Sequence, residues 1–213
     1  MYYKGSFMNI KMLKAAVAGL ILSISGFANA GLITTSYGSN NSGSTGGAIY
    51  FDLTTNLNNL SITGFDINTS GVSSFNDFQV WLLTGTTSQG NEDSLSWIQV
   101  ATGSGTGAGL NNATTVTLSN SFFLSSNTLY GFSLVADSSF GHNYTNGSGS
   151  NQNYSNTDLS LALGSATNVP FTGQVYSPRV WNGSISYDVP EPSTLAIFAL
   201  GIMGLAARRF KKQ

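Results

Sequence analysis

Between residues 31 and 188 the chain holds one histidine, His142, and one glutamate, Glu92, which limits its acid–base chemistry from the outset. Serine hydrolysis needs a nucleophile elbow and a histidine base held by a carboxylate. No Gly-x-Ser-x-Gly occurs, and His142 lies in Phe140-Gly141-His142-Asn143-Tyr144, a stretch that reads as loop, so a solvated histidine is expected. Zinc would need further His or Cys ligands, and the chain has no cysteine. Glu92-Asp93 is a carboxylate pair by adjacency alone. Glycosidases need two carboxylates facing each other across a bond, and neighbours on an extended segment point apart, so a solvated loop is the expectation here too.

Two binding chemistries have better material. Asp137, Asn156 and Asp158 flank a long polar stretch and offer the oxygen ligands that calcium takes, although no spacing resembles an EF-hand. As capping groups for turns the same residues would be structural. Trp81 and Trp97, with Gln79 and Gln99 beside them, could stack on a sugar ring while donating hydrogen bonds, and Tyr144 and Tyr154 could extend that platform. The competing reading is a core one: a second sheet over that face would bury both tryptophans.

These residues must be placed by strands. Apolar runs divided by Gly, Asn and Ser recur at 47–53, 60–68, 75–84, 94–101, 114–118, 128–136, 158–163 and 180–187, and no stretch between the termini sustains a helical period. The expected fold is all-β: an antiparallel β-sandwich of about eight strands, jelly-roll-like. Residues 36–46, 103–112 and 141–156 read as loops, and the last is long enough to be functional. One pairing follows from alternation. Setting Trp81 opposite Trp97, Gln79 opposite Gln99 and Leu83 opposite Leu95 also pairs Val80 with Ile98 and Phe78 with Val100, so like meets like at each step.

The whole chain carries a formal charge of −1, but its charges are segregated. Of the cations, only Arg179 lies between residues 31 and 188, against eight carboxylates, so this body stands at −7 without a lysine. Such a field repels nucleic acid and anionic lipid and excludes phosphate backbones as partners. A cysteine-free protein in an oxidising compartment must rely on its core for stability. Arg179 is expected to have a carboxylate partner.

The remaining cations sit in the termini. Lys11 and Lys14 precede an apolar stretch, and Ala28-Asn29-Ala30 offers a small-x-small cleavage site before Gly31. Residues 1–30 therefore read as a secretory signal peptide with a signal helix, its compact basic start counted from Met8. At the other end Pro190-Glu191-Pro192 is extended by its prolines. An apolar run at 195–207 follows, helical in taste but shorter than a bilayer core, and then Arg208-Arg209-Phe210-Lys211-Lys212. The basic cluster would stay in the cytoplasm, leaving the body across the membrane.

This order of triplet, apolar helix and basic end, over residues 189–213, resembles the PEP-CTERM sorting signal of Gram-negative bacteria. The resemblance implies export, a transient hold in the inner membrane, and removal or replacement of the tail by an exosortase-type enzyme. It carries the sorting role onto Pro190, Glu191, Pro192, Arg208 and Arg209. A shorter pattern, Arg179-Val180-Trp181-Asn182-Gly183-Ser184-Ile185, is similar to the closing strands of secreted bacterial β-sandwich proteins, many uncharacterised. There Asn182-Gly183 would suit a bulge or bend before the last strand. The expected function is a non-enzymatic surface or matrix protein associated with exopolysaccharide and needing no cofactor. The alternatives are a carbohydrate-binding module with an aromatic, calcium-assisted site, and a polysaccharide-active enzyme.

Overall fold

The computed structural model describes residues 29–190. The signal helix, Ala28, Glu191, Pro192, Arg208, Arg209 and the C-terminal apolar helix lie outside the described residues. Residues Ala30–Val189 form one compact unit. All its regular elements are strands: β1 (Asn29–Thr34), β2 (Asn41–Ser42), β3 (Ala48–Thr55), β4 (Leu60–Ile67), β5 (Ser74–Thr84), β6 (Ile98–Thr106), β7 (Thr114–Leu124), β8 (Leu129–Val135), β9 (Asn143–Asn146), β10 (Asn153–Ser155), β11 (Leu159–Thr167), β12 (Val175–Tyr176), β13 (Arg179–Trp181) and β14 (Gly183–Val189). Among the described residues no helix is long and apolar enough to cross a membrane.

The antiparallel all-β expectation holds, but the two-sheet sandwich is replaced by one long curling sheet. Its hydrogen-bonded order is β1-β14-β4-β7-β6-β5-β8-β3-β11-β10, with β12 beside β11, and β13-β9-β2 form a small separate sheet. The sheet nearly closes into a barrel. Phe65 of β4 packs against Phe78 of β5 and Phe132 of β8, ring centroids 6.4 and 6.5 Å apart, although β4 and β8 are not neighbours in the sheet. Trp181 is fully buried and stacks on Phe51 at 5.0 Å, bringing β13 onto the same core. Across the seam Tyr187 of β14 donates to Asp158 Oδ2 (3.0 Å) and accepts from Asn156 Nδ2 (2.8 Å).

Alternation explains which side chains enter this core. Ile49, Phe51 and Leu53 of β3, Tyr130, Phe132 and Leu134 of β8, and Phe78, Val80 and Leu82 of β5 all point inward. These three strands are also covered on their outer face. Ala48, Tyr50, Leu83, Trp97 and Val135 form a second cluster there, with Trp81 and Phe171 packed against it. Segments 85–97 and 168–174 provide that cover, and their placement makes the site described below.

The predicted register of β5 and β6 is not the one formed. Trp81 stands opposite Gln99, Val80 opposite Ala101, and Phe78 opposite Gly103. Residues 94–97 end a turn, marked by the Ser94 N–H donating to Asn91 O at 3.0 Å, and β6 instead runs on through Thr106. The expected loop at 103–112 is thus half strand. Gly103 and Gly105 lie against Phe78 and Phe75, and a Cβ on Gly105 would come within 2.8 Å of the Phe75 ring. Aromatic rings fill the space that side chains would otherwise take, so a glycine-rich segment is a good strand here. The expected loop at 141–156 likewise contains β9 and β10.

Candidate functional site

The site lies on the outer face of β3, β8 and β5, where Tyr50, Ser133 and Trp81 stand in one cross-strand row. Phe171 caps this row. Its ring centroid is 5.1 Å from that of Trp81, 5.8 Å from Trp97 and 6.2 Å from Tyr50. The Phe171 backbone is held in the left-handed region (φ 62°) and its N–H donates to Tyr50 Oη at 3.0 Å. Burial pushes the Tyr50 hydroxyl above its ordinary pKa, outweighing the hydrogen bonds from Thr167, Phe171 and Ser133 that pull it down, so Tyr50 remains a neutral tie between strand and loop.

Sequence reasoning placed Trp81 and Trp97 on one face, and they do meet there, through Phe171 instead of directly across strands. They do not form an open platform. Trp97 is 7% exposed with its Nε1–H donated to Asn91 O (3.0 Å), and half-buried Trp81 donates to Gln79 Oε1 (3.0 Å). Gln79 in turn donates to Asp77, while Gln99 is exposed on β6. Tyr144 is elsewhere, buried in the small sheet, and Tyr154 sits half-buried on the edge strand β10. The six residues are therefore divided among three places.

The calcium candidates are divided too. Asp137 follows β8 and accepts from the N–H groups of Asn76, Asp77 and Ser139. Burial pushes its carboxyl up, but the hydrogen bonds from Ser139, Asp77 and Asn76 outweigh that and leave it lowered. Asn156 and Asp158 lie at the seam with Tyr187, near the opposite end of β8, about 20 Å away at roughly 3.3 Å per strand residue. Among the described residues no three His, Cys, Asp or Glu side chains converge on a metal position.

Three residues behave against expectation. Glu92 is not a solvated loop residue: it is 7% exposed and accepts a hydrogen bond from Ser165 Oγ at 2.6 Å. A β-bulge in β11 between Leu163 and Ser165 makes this possible. It turns Ser165 and Thr167 outward, where unbroken alternation would have pointed Ser165 into the core. His142 is buried rather than solvated. Its Nε2 lies 3.0 Å from Leu134 O, its Nδ1 has no partner, and burial pushes its pKa down to about 4 despite that hydrogen bond. Arg179 stacks on tyrosines instead of a carboxylate, with Cζ 5.6 Å from the Tyr144 ring and 6.0 Å from Tyr176. The planar guanidinium suits that contact.

Beside Phe171 the covering segments leave an open recess of about 490 Å³, lined by Glu92, Asp93, Thr167, Phe171, Thr172, Gly173 and Val175. Both carboxylates come from the 85–97 segment. The facing segment contributes hydroxyl and apolar groups. Sequence reasoning missed this recess because its key contact joins residues 73 positions apart. A smaller recess of about 280 Å³ lies beside Asp52 and Tyr154, where Ser88 donates to Asp52 Oδ1 through both N–H (2.6 Å) and Oγ (2.7 Å).

Of the processing residues, Ala30 and Gly31 lie in β1, with Gly31 against the Tyr187 ring, and Pro190 follows the last strand. Comparison with curated proteins returns no match for the chain. Residues 188–212 match the PEP-CTERM protein-sorting motif. That motif marks an exported protein handled at the membrane by an exosortase-type enzyme and sorted to the cell surface. The nearly closed β-unit is thus followed by a PEP-CTERM sorting segment, and this chain is a PEP-CTERM-bearing exported protein.

Proposed function

We propose that the protein is a non-enzymatic component of the cell surface or extracellular matrix that associates with exopolysaccharide after its leader and sorting tail have been processed. The observation carrying this reading is the sorting motif at residues 188–212, which begins where the β-unit ends. Charge agrees with it: processing at both termini removes every cation but Arg179 and leaves a lysine-free body at −7. Such a body is soluble and repels anionic partners, so a neutral or cationic glycan is the polymer it can approach. The carboxylates facing the recess share one wall, which favours binding over hydrolysis.

Intact-mass measurement on protein from producing cells, with and without the sorting enzyme, tests the reading together with matrix fractionation. The expected product begins at Gly31, ends near Pro190 or carries an added group there, and partitions with the polysaccharide fraction only when the sorting enzyme is present. A matrix-bound protein retaining both termini, or a processed one that never partitions with polysaccharide, would refute it.

A further inference from the structure

The recess beside Phe171 contains a carboxylate with fewer hydrogen bonds than its burial calls for. Glu92 is 7% exposed, and Ser165 Oγ is the donor it meets, at Oε1. An ionised carboxylate can accept about four hydrogen bonds, and a desolvated charge is tolerated only when paired. Asp93 lines the same recess, so a second negative charge stands beside the first, and none of the lining residues is cationic. The complementary charge is missing from the protein's side of the site.

We infer that this recess binds a protonated amino sugar, its ammonium group held by Glu92 and Asp93 and the apolar face of its ring against Phe171. Thr172 and Thr167 place hydroxyls on the facing wall for the ring hydroxyls. The volume of about 490 Å³ falls within the range of small-molecule sites, about 300–1,000 Å³. Anionic sugars are repelled by the two carboxylates. A neutral sugar hydroxyl could donate to Glu92, but an ammonium donor makes a charge-assisted bond roughly twice as strong and also offsets the repulsion between the two acids. Calcium fits poorly, since it takes about 6–8 oxygen ligands and no third acidic group joins the pair among the described residues. The assignment rests on the polysaccharide reading above and adds the class of sugar.

Tryptophan fluorescence of the whole exported protein provides the readout, because Trp81 and Trp97 both contact Phe171. A glucosamine trimer is expected to shift the emission and to bind at least about 10-fold tighter than its N-acetylated counterpart, with added salt weakening it. Glu92→Gln should weaken binding by about 10-fold or more and Asp93→Asn by about 3-fold. Asp93 is exposed, so its variant reports on charge without disturbing the Ser165 contact. Equal affinity for acetylated and free-amine trimers, or binding indifferent to both substitutions, would overturn the assignment, as would a calcium response that needs Glu92 without any amino-sugar response. Glucosamine binding with no matrix association in cells would defeat the polysaccharide reading while leaving this site intact.

Discussion

At the residue scale, His142 makes the clearest prediction. Buried among Phe78, Phe140 and the backbone of β8, it is held neutral, with its pKa near 4 against an ordinary value of 6.5. The folded state binds its proton less tightly than the unfolded state does. Its contribution to stability is therefore complete above pH 6.5 and is lost as pH falls toward 4, by about 3 kcal/mol in all. Urea titrations at pH 7 and pH 4 should show this loss, and His142→Asn should lower stability at pH 7 while flattening the slope between the two. An unchanged slope in that variant would assign the acid sensitivity to other groups. The burial was not legible beforehand. A lone histidine between glycine and asparagine looks solvated until the bridge from His142 to Thr69 and the packing of Phe140 are known.

At the element scale, strand existence was largely legible from alternation, while strand extent and register were not. The runs at 60–68 and 75–84 correspond closely to β4 and β5 because their inward residues are large and regular. β6 was misplaced because its glycines look like punctuation, whereas their fit against Phe75, Phe78 and Val116 exists only after the sheet has formed. The bend at Asn182-Gly183 was anticipated, and the structure provides its cause. A Cβ on Gly183 would run into Asp66 O and the Trp181 ring where the chain passes from β13 to β14. Gly183→Ala should therefore cost about 3 kcal/mol, an overpacking effect. Gly85→Ala provides the contrast, since Gly85 has φ 74° with nothing within 4 Å of the added carbon. That variant should lose only the left-handed backbone term of about 1–2 kcal/mol. Chemical denaturation of both proteins checks the ordering, and equal losses would show that space at the bend is not the constraint.

At the scale of the molecule, charge segregation and the sorting segment could be read directly, because both are properties of composition and order along the chain. The near-closure of the sheet could not, since it depends on contacts between distant edges. Tyr187 shows how closure works. Its hydroxyl is pushed up to about 12 by burial and by its bond to Asp158, so at neutral pH it remains a donor to that carboxylate while accepting from Asn156. Asn156 also receives the N–H groups of Asp158 and Leu159 at Oδ1, so one side chain shapes the β10–β11 turn and fastens it to β14. Tyr187→Phe keeps the ring in the core but removes both seam bonds, and should cost about 1–3 kcal/mol. The loss should be local in hydrogen exchange. Amides of β14, β11 and the intervening turn should lose protection, while β5 and β6, on the far side of the sheet order, should fall only by the global change in stability. A uniform drop would mean that Tyr187 acts through the core alone. A local one would mean that the strand running into the sorting segment is held by a polar latch between the two ends of the sheet.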